Sequence, residues 1–537
     1  MLGHRSPQLG LFDAFALPHR VPADSFYGRM GAVYSKLFRD EDLAMMYDQD
    51  NGRPSLPPSL MCGVMLLQFH DNVSDDEAVQ RVQFDLRWKV ALCLPLDYAG
   101  FDPSSSSVFR GRLVEHSQER YAFDRFIQVG REAGFIADKV TLLTDTTSVK
   151  GAGAVQNTYT LLRKGVRKLL KALGYSLPGQ RQGLGKQAQH LVATYLDQDK
   201  KAAIDWSDAA QRETQLNVLV KDTEAALELA LRQSDDADVR LTGWLLAKIL
   251  GDDVEKDAAG VAHLGQGTAE DRIVSLTDPE IRHGRKSAAH RFDGFKTTVS
   301  TDQVSELILD IDDLSANDGD GKALMPTIEQ VEAHAEVVVE RAVGDGAYVT
   351  GDNLAACADH CDAQGQPQPI DLVGPLRQPA TPAVDKSAFQ IDLERQTCTC
   401  PCGYTVPGQA VKDKQGREVL RFTFDRPDCA ACARFAGCVR SKKTGRTVTT
   451  HAHEALLQEA RARQQSEAFK ALYNPRSAVE RIVSELVSHG LRRTRYIGDR
   501  KRRLQRLWTA AAVNLKRLFT LAQANKVDLD AVIAALA

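Results

Sequence analysis

The chain has 537 residues and a formal net charge of −3; 43% of its residues are hydrophobic and 26% are charged. This length exceeds one ordinary hydrophobic core and predicts roughly three or four domains. The sequence shows no apolar segment of signal-peptide type near its start and no run of about 20 apolar residues that could span a membrane. We therefore expect a globular, cytoplasmic protein.

Charge is distributed unevenly along the chain. Residues 196–240 are rich in Asp and Glu, whereas the C-terminal tail is basic. The net charge therefore does not indicate whether the protein binds nucleic acid. The local distribution of charge is the relevant evidence. The ten cysteines occur without a secretory signal, which argues against a disulfide framework.

Residues 1–135 are predicted to form a helical N-terminal domain. Ser74 and Glu77 have the capping-box spacing that opens a helix, which we expect to continue through Trp88. Short helices followed by Arg110 and Arg112 are compatible with a helix-turn-helix domain that binds in a DNA groove. A small helical bundle with ordinary surface arginines fits the same pattern equally well.

Two buried strands are each predicted to end at an aspartate. Residues 139–147, KVTLLTDTT, run into Asp145, and residues 336–348, EVVVERAVGDGAY, run into Asp345. An acid at the end of a buried strand costs stability unless a cation meets it, and a metal ion would do so. Asp345 lies between two glycines, an arrangement that is also common in turns without a function.

Residues 153–270 are predicted to be a helical insertion, because helical apolar spacing recurs in NTYTLLRKGVRKLLKALG and TEAALELALRQ. Their cations could contact phosphate, but a solvated helix face explains them better. Residues 291–300 and 306–314 are predicted to be adjacent strands followed by a helix, and residues 371–376 a last short strand. This mixture of strands and helices is typical of an α/β sheet.

Six of the ten cysteines lie in two short motifs, QTCTCPCGYT and CAACARFAGC, with a predicted hairpin between them. Cys429 and Cys432 have the C-x-x-C spacing of a zinc knuckle, and Cys438 follows at a workable distance. The first motif supplies the fourth ligand, either Cys400 or one of the alternatives Cys398 and Cys402. Zinc is favoured over reduced cysteines in a small β insertion.

Residues 471–507 place a carboxylate beside a dense basic stretch. Tyr473, Arg476 and Glu480 fall on one stripe of a predicted helix, next to an apolar stripe that would face a core. Taken alone, an Arg and a Glu four residues apart are most often a solvated ion pair. The cations that follow are Arg492, Arg493, Arg495, Arg500, Lys501, Arg502, Arg503 and Arg506. Such a density of positive charge favours a polyanionic partner.

Three local motifs together resemble the DDE transposases of bacterial insertion sequences. They are TDTTSVKGAG around Asp145, VGDGAY around Asp345 and YNPRSAVERI around Glu480. The likeness extends to GRPSLPPSLMCGVMLL, FDLRWKVALCL, DPEIRHGRKS and RYIGDRKRRLQRLWTAAAVNLKRL, and so covers most of the chain. No P-loop, dinucleotide-binding or H-E-x-x-H motif occurs, which argues against nucleotide-driven and zincin-type enzymes.

The resemblance implies an α/β fold with a ribonuclease-H-like mixed sheet flanked by helices. It implies that Asp145, Asp345 and Glu480 are catalytic and together hold two Mg²⁺ or Mn²⁺ ions. The sheet would be built from residues 136–152 and 271–378, with residues 153–270 and 379–446 as helical and cysteine-rich (zinc) insertions and residues 447–537 as the catalytic helix and basic tail. Many relatives carry a Lys seven residues after the Glu, but Val487 stands there, so the contact made by that lysine would come from elsewhere, such as His489 or Arg492, or be absent.

We predict a transposase that binds terminal inverted repeats, cuts the element ends and joins the freed 3′ hydroxyls to target DNA by two-metal phosphoryl transfer. Tyr473 and Arg476 would position the scissile phosphate, and the basic stretch would contact the DNA backbone. The partners would be double-stranded DNA and, because two ends must be paired, at least one second copy of the chain. The alternatives are a domesticated DNA-binding protein that does not cleave and a metal-dependent endonuclease without strand transfer.

Overall fold

The N-terminal part of the chain is helical, as predicted. The computed structural model describes residues 1–536 except residues 5–17, 49–51, 53, 199–203, 234–235, 287–288, 378–383 and 442. The first helices are α1 Phe26–Leu37, α2 Pro58–Asp71, α3 Asp75–Phe84, α4 Leu86–Ala91, α5 Ser104–Glu115 and α6 Tyr121–Glu132. Ser74 accepts a hydrogen bond from the Glu77 N–H, so the predicted cap is confirmed. The helix ends before Trp88 because Asp85 starts α4 by accepting from the Arg87 N–H.

Strand β1 Lys139–Lys150 precedes a helical unit with a core of its own. This unit contains α7 Thr158–Ala172, α8 Lys186–Val192, α9 Ala209–Gln233, α10 Ala237–Asp253 and the hairpin β2 Val254–Lys256 with β3 Ala262–Leu264. Leu162, Val166 and Leu246 are fully buried in that separate core. The helical character predicted for this segment is therefore confirmed.

A mixed sheet surrounds β1. The later strands and helices of this part are β4 Arg282–Arg285, β5 Arg291–Asp302, β6 Ile308–Ser315, α11 Leu324–Ala335, β7 Val338–Val343, α12 Gly351–Ala358 and β8 Asp371–Val373. β1 pairs antiparallel with β5 and parallel with β7, β8 lies parallel beyond β7, and β4 and β6 pair antiparallel with the outer side of β5. The expected α/β class is confirmed.

Asp145 does not end its strand, contrary to the sequence-based prediction. β1 continues to Lys150, because residues 146–150 remain paired with β5. The parallel neighbour β7 stops earlier, at Val343, which pairs with Leu143. Asp145 therefore lies within β1 but beyond the end of β7, where the sheet opens on that side.

The cysteine-rich segment forms a second sheet. Its strands are β9 Gln390–Asp392, β10 Thr397–Thr399, β11 Thr405–Lys412, β12 Glu418–Thr423 and β13 Thr447–Thr449, with the short helices α13 Arg426–Ala430 and α14 Phe435–Cys438 between the last two. β11 and β12 form the predicted hairpin. The buried core of this sheet is small and is built around Phe389, Phe422 and Phe424.

The C-terminal helices return to the main sheet. They are α15 Glu454–Gln464, α16 Glu467–Tyr473, α17 Ser477–Ser488, α18 Asp499–Asn525 and α19 Leu529–Ala535. One continuous hydrophobic core joins the N-terminal helices, the main sheet, α17 and α18, with Trp88 and Trp508 fully buried in it. Within the described ranges, none of these helices has the length and apolar character needed to cross a membrane.

Candidate active site

Pairing between β1 and β7 brings two of the predicted acids to the same level of the sheet. Leu143 pairs with Val343; two residues later, Asp145 lies within β1 and Asp345 lies in the turn that follows β7. The Asp345 carboxylate accepts a hydrogen bond from the Ala347 N–H at 2.8 Å, which fixes the turn after β7. Both carboxylates line one open cleft with a volume of about 1130 Å³.

Glu480, on the first turn of α17, reaches the same cleft. Arg476 connects it to the sheet, because its Nη1 donates to Glu480 Oε1 at 2.6 Å and its Nη2 donates to Asp145 Oδ1 at 2.9 Å. The Arg476 side chain is only 13% exposed, and its Nε has no hydrogen-bond partner among the described residues. The pair Arg476–Glu480 thus lines the cleft, with a largely buried guanidinium and a Glu480 side chain that is 56% exposed.

The electrostatics of the cleft favour a cation near Asp145. Burial raises the pKa of Asp145, and Asp345 and Glu480 raise it further, while Arg476 lowers it. Burial would lower the pKa of Arg476, but the surrounding acids, Asp145 first, outweigh burial and raise it. Around the largely buried Asp145, the carboxylates therefore carry more negative charge than one guanidinium offsets.

Tyr473 lies at the end of α16, where its ring stacks on Phe469 at 5.6 Å between centroids. Burial raises the pKa of the phenol, with Arg476 acting in the opposite direction. The hydroxyl is therefore protonated at neutral pH and able to donate. Tyr473 and Arg476 lie close together, but not on one continuous helix as predicted, because α16 ends at Tyr473, a 3-10 turn covers Asn474–Arg476 and α17 begins at Ser477.

Several cleft residues were missed by sequence reasoning. Arg285, Lys286 and Arg377 line the cleft, and no described residue bonds to their side chains. The first two lie in DPEIRHGRKS, so a signal for them was present, whereas Arg377 follows β8 without a distinguishing motif. The buried Tyr348 hydroxyl contacts Thr146, the neighbour of Asp145, and so holds β1 against the turn that carries Asp345.

The chemistry of the cleft acids suits hard divalent cations, since three carboxylates offer oxygen ligands of the kind that Mg²⁺ prefers. In the described ranges, no three His, Cys, Asp or Glu side chains are spaced to hold a metal ion. In their place, the Arg476 guanidinium bridges Asp145 and Glu480. A metal ion at these acids would therefore compete with Arg476 for the same oxygens.

The basic stretch after α17 divides into buried and exposed side chains. Arg502 and Arg506 are 5% and 4% exposed and form ion pairs with acids of the preceding chain, including Asp313. Arg495 is largely buried, donates to the Val73 carbonyl and has a pKa that burial lowers. These guanidinium groups stabilise the fold, and their burial leaves little surface for a phosphate, contrary to the prediction for them.

Other cations of the stretch remain exposed. Arg500 pairs with Glu119 at 2.8 Å but is half exposed. The side chains of Arg492, Arg493 and Lys501 are exposed, and that of Arg503 is half-buried. In the part of the chain that the structure describes, none of these four side chains forms a hydrogen bond or an ion pair. Arg493 bridges to Lys150 at the end of β1, five residues beyond Asp145.

The N-terminal arginines also have internal contacts. Arg110 is buried and pairs with Asp75, with Nη1 at 2.9 Å from Oδ1, so it offers no free guanidinium to a DNA groove. Arg112 lies over the Tyr47 ring at 4.5 Å and is half-buried. His489, considered as a substitute for the lysine absent at Val487, contacts the His70 carbonyl on α2 and not the cleft.

Five of the six clustered cysteines face one small cavity of about 30 Å³: Cys400, Cys402, Cys429, Cys432 and Cys438. Cys398 instead lies in the core of the sheet, where burial raises the pKa of its thiol to about 11. The sulfurs of Cys402 and Cys432 are 3.1 Å apart, closer than the roughly 3.8 Å that tetrahedral zinc at ~2.3 Å from each sulfur would require. The set supplies enough thiols for zinc, but the sulfurs are not arranged around a metal position.

Two family models match the chain. The model described as Transposase DDE domain matches residues 399–519, and the model described as Transposase domain (DUF772) matches residues 15–112. The two matches support a DDE transposase of an insertion sequence. The DDE match contains Arg476 and Glu480, while Asp145 and Asp345 lie outside both matched segments. No curated protein and no solved structure matches the chain.

The transposase family of this match implies DNA as a partner and suggests an enzyme that transposes DNA. It also indicates divalent metals as cofactors of the family, although neither the metal ion nor zinc is identified for this chain. The two matched segments are far apart in sequence, but both pack into the same core, since Trp88 and Trp508 belong to one cluster.

Proposed function

We propose that this transposase binds the terminal inverted repeats of its element, cleaves at the element ends and transfers the freed 3′ ends to target DNA. The observation that carries the proposal is the meeting of Asp145, Asp345 and Glu480 in one cleft although up to 335 positions separate them in the chain. A protein that only binds DNA has no need to gather three acids in one cleft, because their mutual repulsion costs stability.

The sheet supports a ribonuclease-H-like core as part of this proposal. Three antiparallel strands, β6, β5 and β1, are followed by two parallel strands, β7 and β8, on the other side of β1. Asp145 lies on β1, the central strand of this order, Asp345 follows its neighbour β7, and Glu480 comes from a helix that packs on β1. This is the arrangement that the resemblance to DDE transposases implies.

Asp145, Asp345 and Glu480 would hold two Mg²⁺ or Mn²⁺ ions. Bound there, the ions would activate the attacking hydroxyl and stabilise the leaving oxygen. Metal binding would change the contacts of Arg476. Its guanidinium now donates to Asp145 and Glu480, and it would lose these hydrogen bonds when metal ions bind the same oxygens. Its planar guanidinium, with an unpartnered Nε, can then donate to the scissile phosphate, beside the Tyr473 hydroxyl.

DNA would enter along the exposed cations that have no internal partner. Arg285, Lys286 and Arg377 line the cleft itself. Arg492, Arg493 and Lys501 continue the positive surface next to the end of β1. We include zinc in the proposal as a structural ion held by Cys429, Cys432 and Cys438 together with Cys400 or Cys402, because the small core of the second sheet gives it little stability of its own.

The test replaces each acid by its amide. Asp145→Asn, Asp345→Asn and Glu480→Gln should each abolish cleavage and joining in Mg²⁺ on DNA carrying the element's own ends, while binding of those ends persists. The same changes should slightly stabilise the metal-free protein, since each removes one repelling charge. Mg²⁺ should raise the Tm of the parent, and this rise should shrink in the variants.

Two matched controls keep the charge change but lie outside the cleft. Glu485→Gln lies on α17 like Glu480, where Glu485 pairs with Lys516, and Asp138→Asn lies on an exposed position just before β1. Both should cleave and join like the parent. Strand transfer by any one of the three amide variants would remove that residue from the site. Cleaved but unjoined products from the parent would favour an endonuclease.

A further inference from the structure

The cysteine-rich insertion contains a segment of positive charge that the proposed chemistry does not use. From Cys429 to His453 the chain has no acidic residue. The cations in that interval are Arg434, Arg440, Lys442, Lys443 and Arg446, besides two histidines. Exclusion of acids over such a length is unlike the basic stretch of α18, whose buried arginines are matched by acids from the sheet.

Arg446 has a structural role and does not belong to the exposed set. It donates to the carbonyls of Cys438 at 3.1 Å and Val384 at 3.2 Å, and it lies over the Phe389 ring. Arg434, Arg440 and Lys443 are exposed. We call these three residues the basic knuckle. Neither Arg434 nor Lys443 forms a side-chain hydrogen bond or ion pair within the described residues, although Arg434 acts electrostatically on Cys402 and Cys432.

The backbone of the basic knuckle is held in a defined shape by Arg426. Its guanidinium lies over the Phe435 ring at 5.1 Å, next to Arg434, and its Nη1 donates to the carbonyls of Thr444, at 3.2 Å, and Ser441. The Ser441 hydroxyl in turn accepts from the Lys443 and Thr444 N–H groups. Both sides of the knuckle are therefore tied to one side chain, which lowers the entropy lost when a ligand binds.

The hairpin β11–β12 lies between this knuckle and the wall of the cleft. At its turn, Arg417 pairs with Asp352, an acid of the cleft wall, and His451 and His453 each place Nε2 3.8 Å from the same carboxylate. The opposite end of the hairpin leads into the cysteine motifs. The seven steps from Lys412 to Thr405 span about 23 Å at ~3.3 Å per residue.

We propose that the basic knuckle is a second contact for duplex DNA and binds the phosphate backbone about 7 base pairs from the phosphate in the cleft, since ~23 Å corresponds to that many steps of ~3.4 Å. The binding itself follows from exposed, acid-free charge. Only its spacing from the cleavage site depends on the proposed function. The competing account is that these cations offset the negative charge of a zinc–thiolate cluster.

The test uses the full chain and a random-sequence 40-base-pair duplex, so that neither cleavage nor the element's ends are needed. The variant is Arg434→Gln with Lys443→Gln, and the measurement is the dependence of duplex affinity on KCl concentration. Each lost phosphate contact should flatten the slope of log affinity against log salt by about 0.9, or by roughly 1.8 for both. Lys221→Gln with Lys526→Gln, two exposed cations outside the insertion, should leave the slope unchanged.

Zinc content, measured on the same preparations, separates the two accounts. Parental zinc content with a flatter slope supports DNA contact. An unchanged slope overturns it, whether or not zinc is lost, and zinc loss with an unchanged slope assigns the cations to the thiolates. The Asp145→Asn protein should show the parental slope, so a failure of the proposed catalysis would not affect this result. On the element's own end, hydroxyl-radical protection lost in the variant should lie about 7 base pairs from the cleaved phosphate; loss elsewhere would overturn the spacing.

Discussion

Replacing Arg506 by leucine should destabilise the main core, although the sequence places Arg506 in a stretch that favours a polyanion. Arg506 is 4% exposed, with Nη1 2.7 Å from Asp313 Oδ2, and it also contacts the more exposed Asp312. Burial lowers the pKa of Arg506, but Asp313 and Asp312 outweigh burial and raise it. The guanidinium is therefore charged and held mainly by the largely buried Asp313.

The expected loss follows from what the substitution leaves behind. Asp313 is 11% exposed, so Arg506→Leu strands a largely buried carboxylate, a change that typically costs ~3 to 5 kcal/mol. Asp313 keeps two other partners, the Thr297 hydroxyl at 2.5 Å and Arg502 Nε at 3.6 Å. The lower end of the range, about 3 kcal/mol, is therefore expected.

The assay is urea unfolding followed by tryptophan fluorescence, because Trp88 and Trp508 are fully buried in the core that Arg506 joins. Arg503→Leu is the matched control on the same helix, half-buried and without a described partner, and should change stability by under about 0.5 kcal/mol. In an Asp313→Asn background the cost of Arg506→Leu should fall, since no stranded charge remains. Equal effects of the Arg506 and Arg503 substitutions would refute the argument.

Two further predictions concern pH and metal. Burial raises the pKa of Asp310 to about 7, with Asp312 adding to the shift and Arg120 opposing it. The folded state therefore binds a proton that the unfolded state releases, so the free energy of unfolding should fall as pH rises from about 4 towards 7, by up to ~1.4 kcal/mol per pH unit. Asp310→Asn should remove this slope. A pH-independent difference between parent and variant in urea titrations would contradict this. Purified protein should contain about one equivalent of zinc. Removing the zinc with a chelator should make the thiols of Cys429, Cys432 and Cys438 react freely, while Cys398 stays protected in its core. Less than half an equivalent of zinc, with all six thiols reactive, would contradict the zinc proposal.

Short-range features were predictable because they depend on neighbours in the sequence. The Ser74 cap, the strands around Asp145 and before Asp345, and the hairpin between the cysteine motifs follow from capping spacing and β-branched runs. Arg476 and Glu480 are four residues apart on the chain, and their bond could be expected from helical geometry. The order of the three acids also came from the sequence, through motifs that resemble one family.

The tertiary structure decided which charges are available. Arg502 and Arg506 look like their neighbours in the sequence, but they turn towards acids that lie about 190 to 220 positions earlier in the chain. Arg476 meets Asp145 across 331 positions, and Cys398 turns into a core while Cys402 faces the cavity. A charged side chain is buried only where the fold supplies a partner whose interaction offsets the free-energy cost of desolvation. The local sequence does not contain that partner.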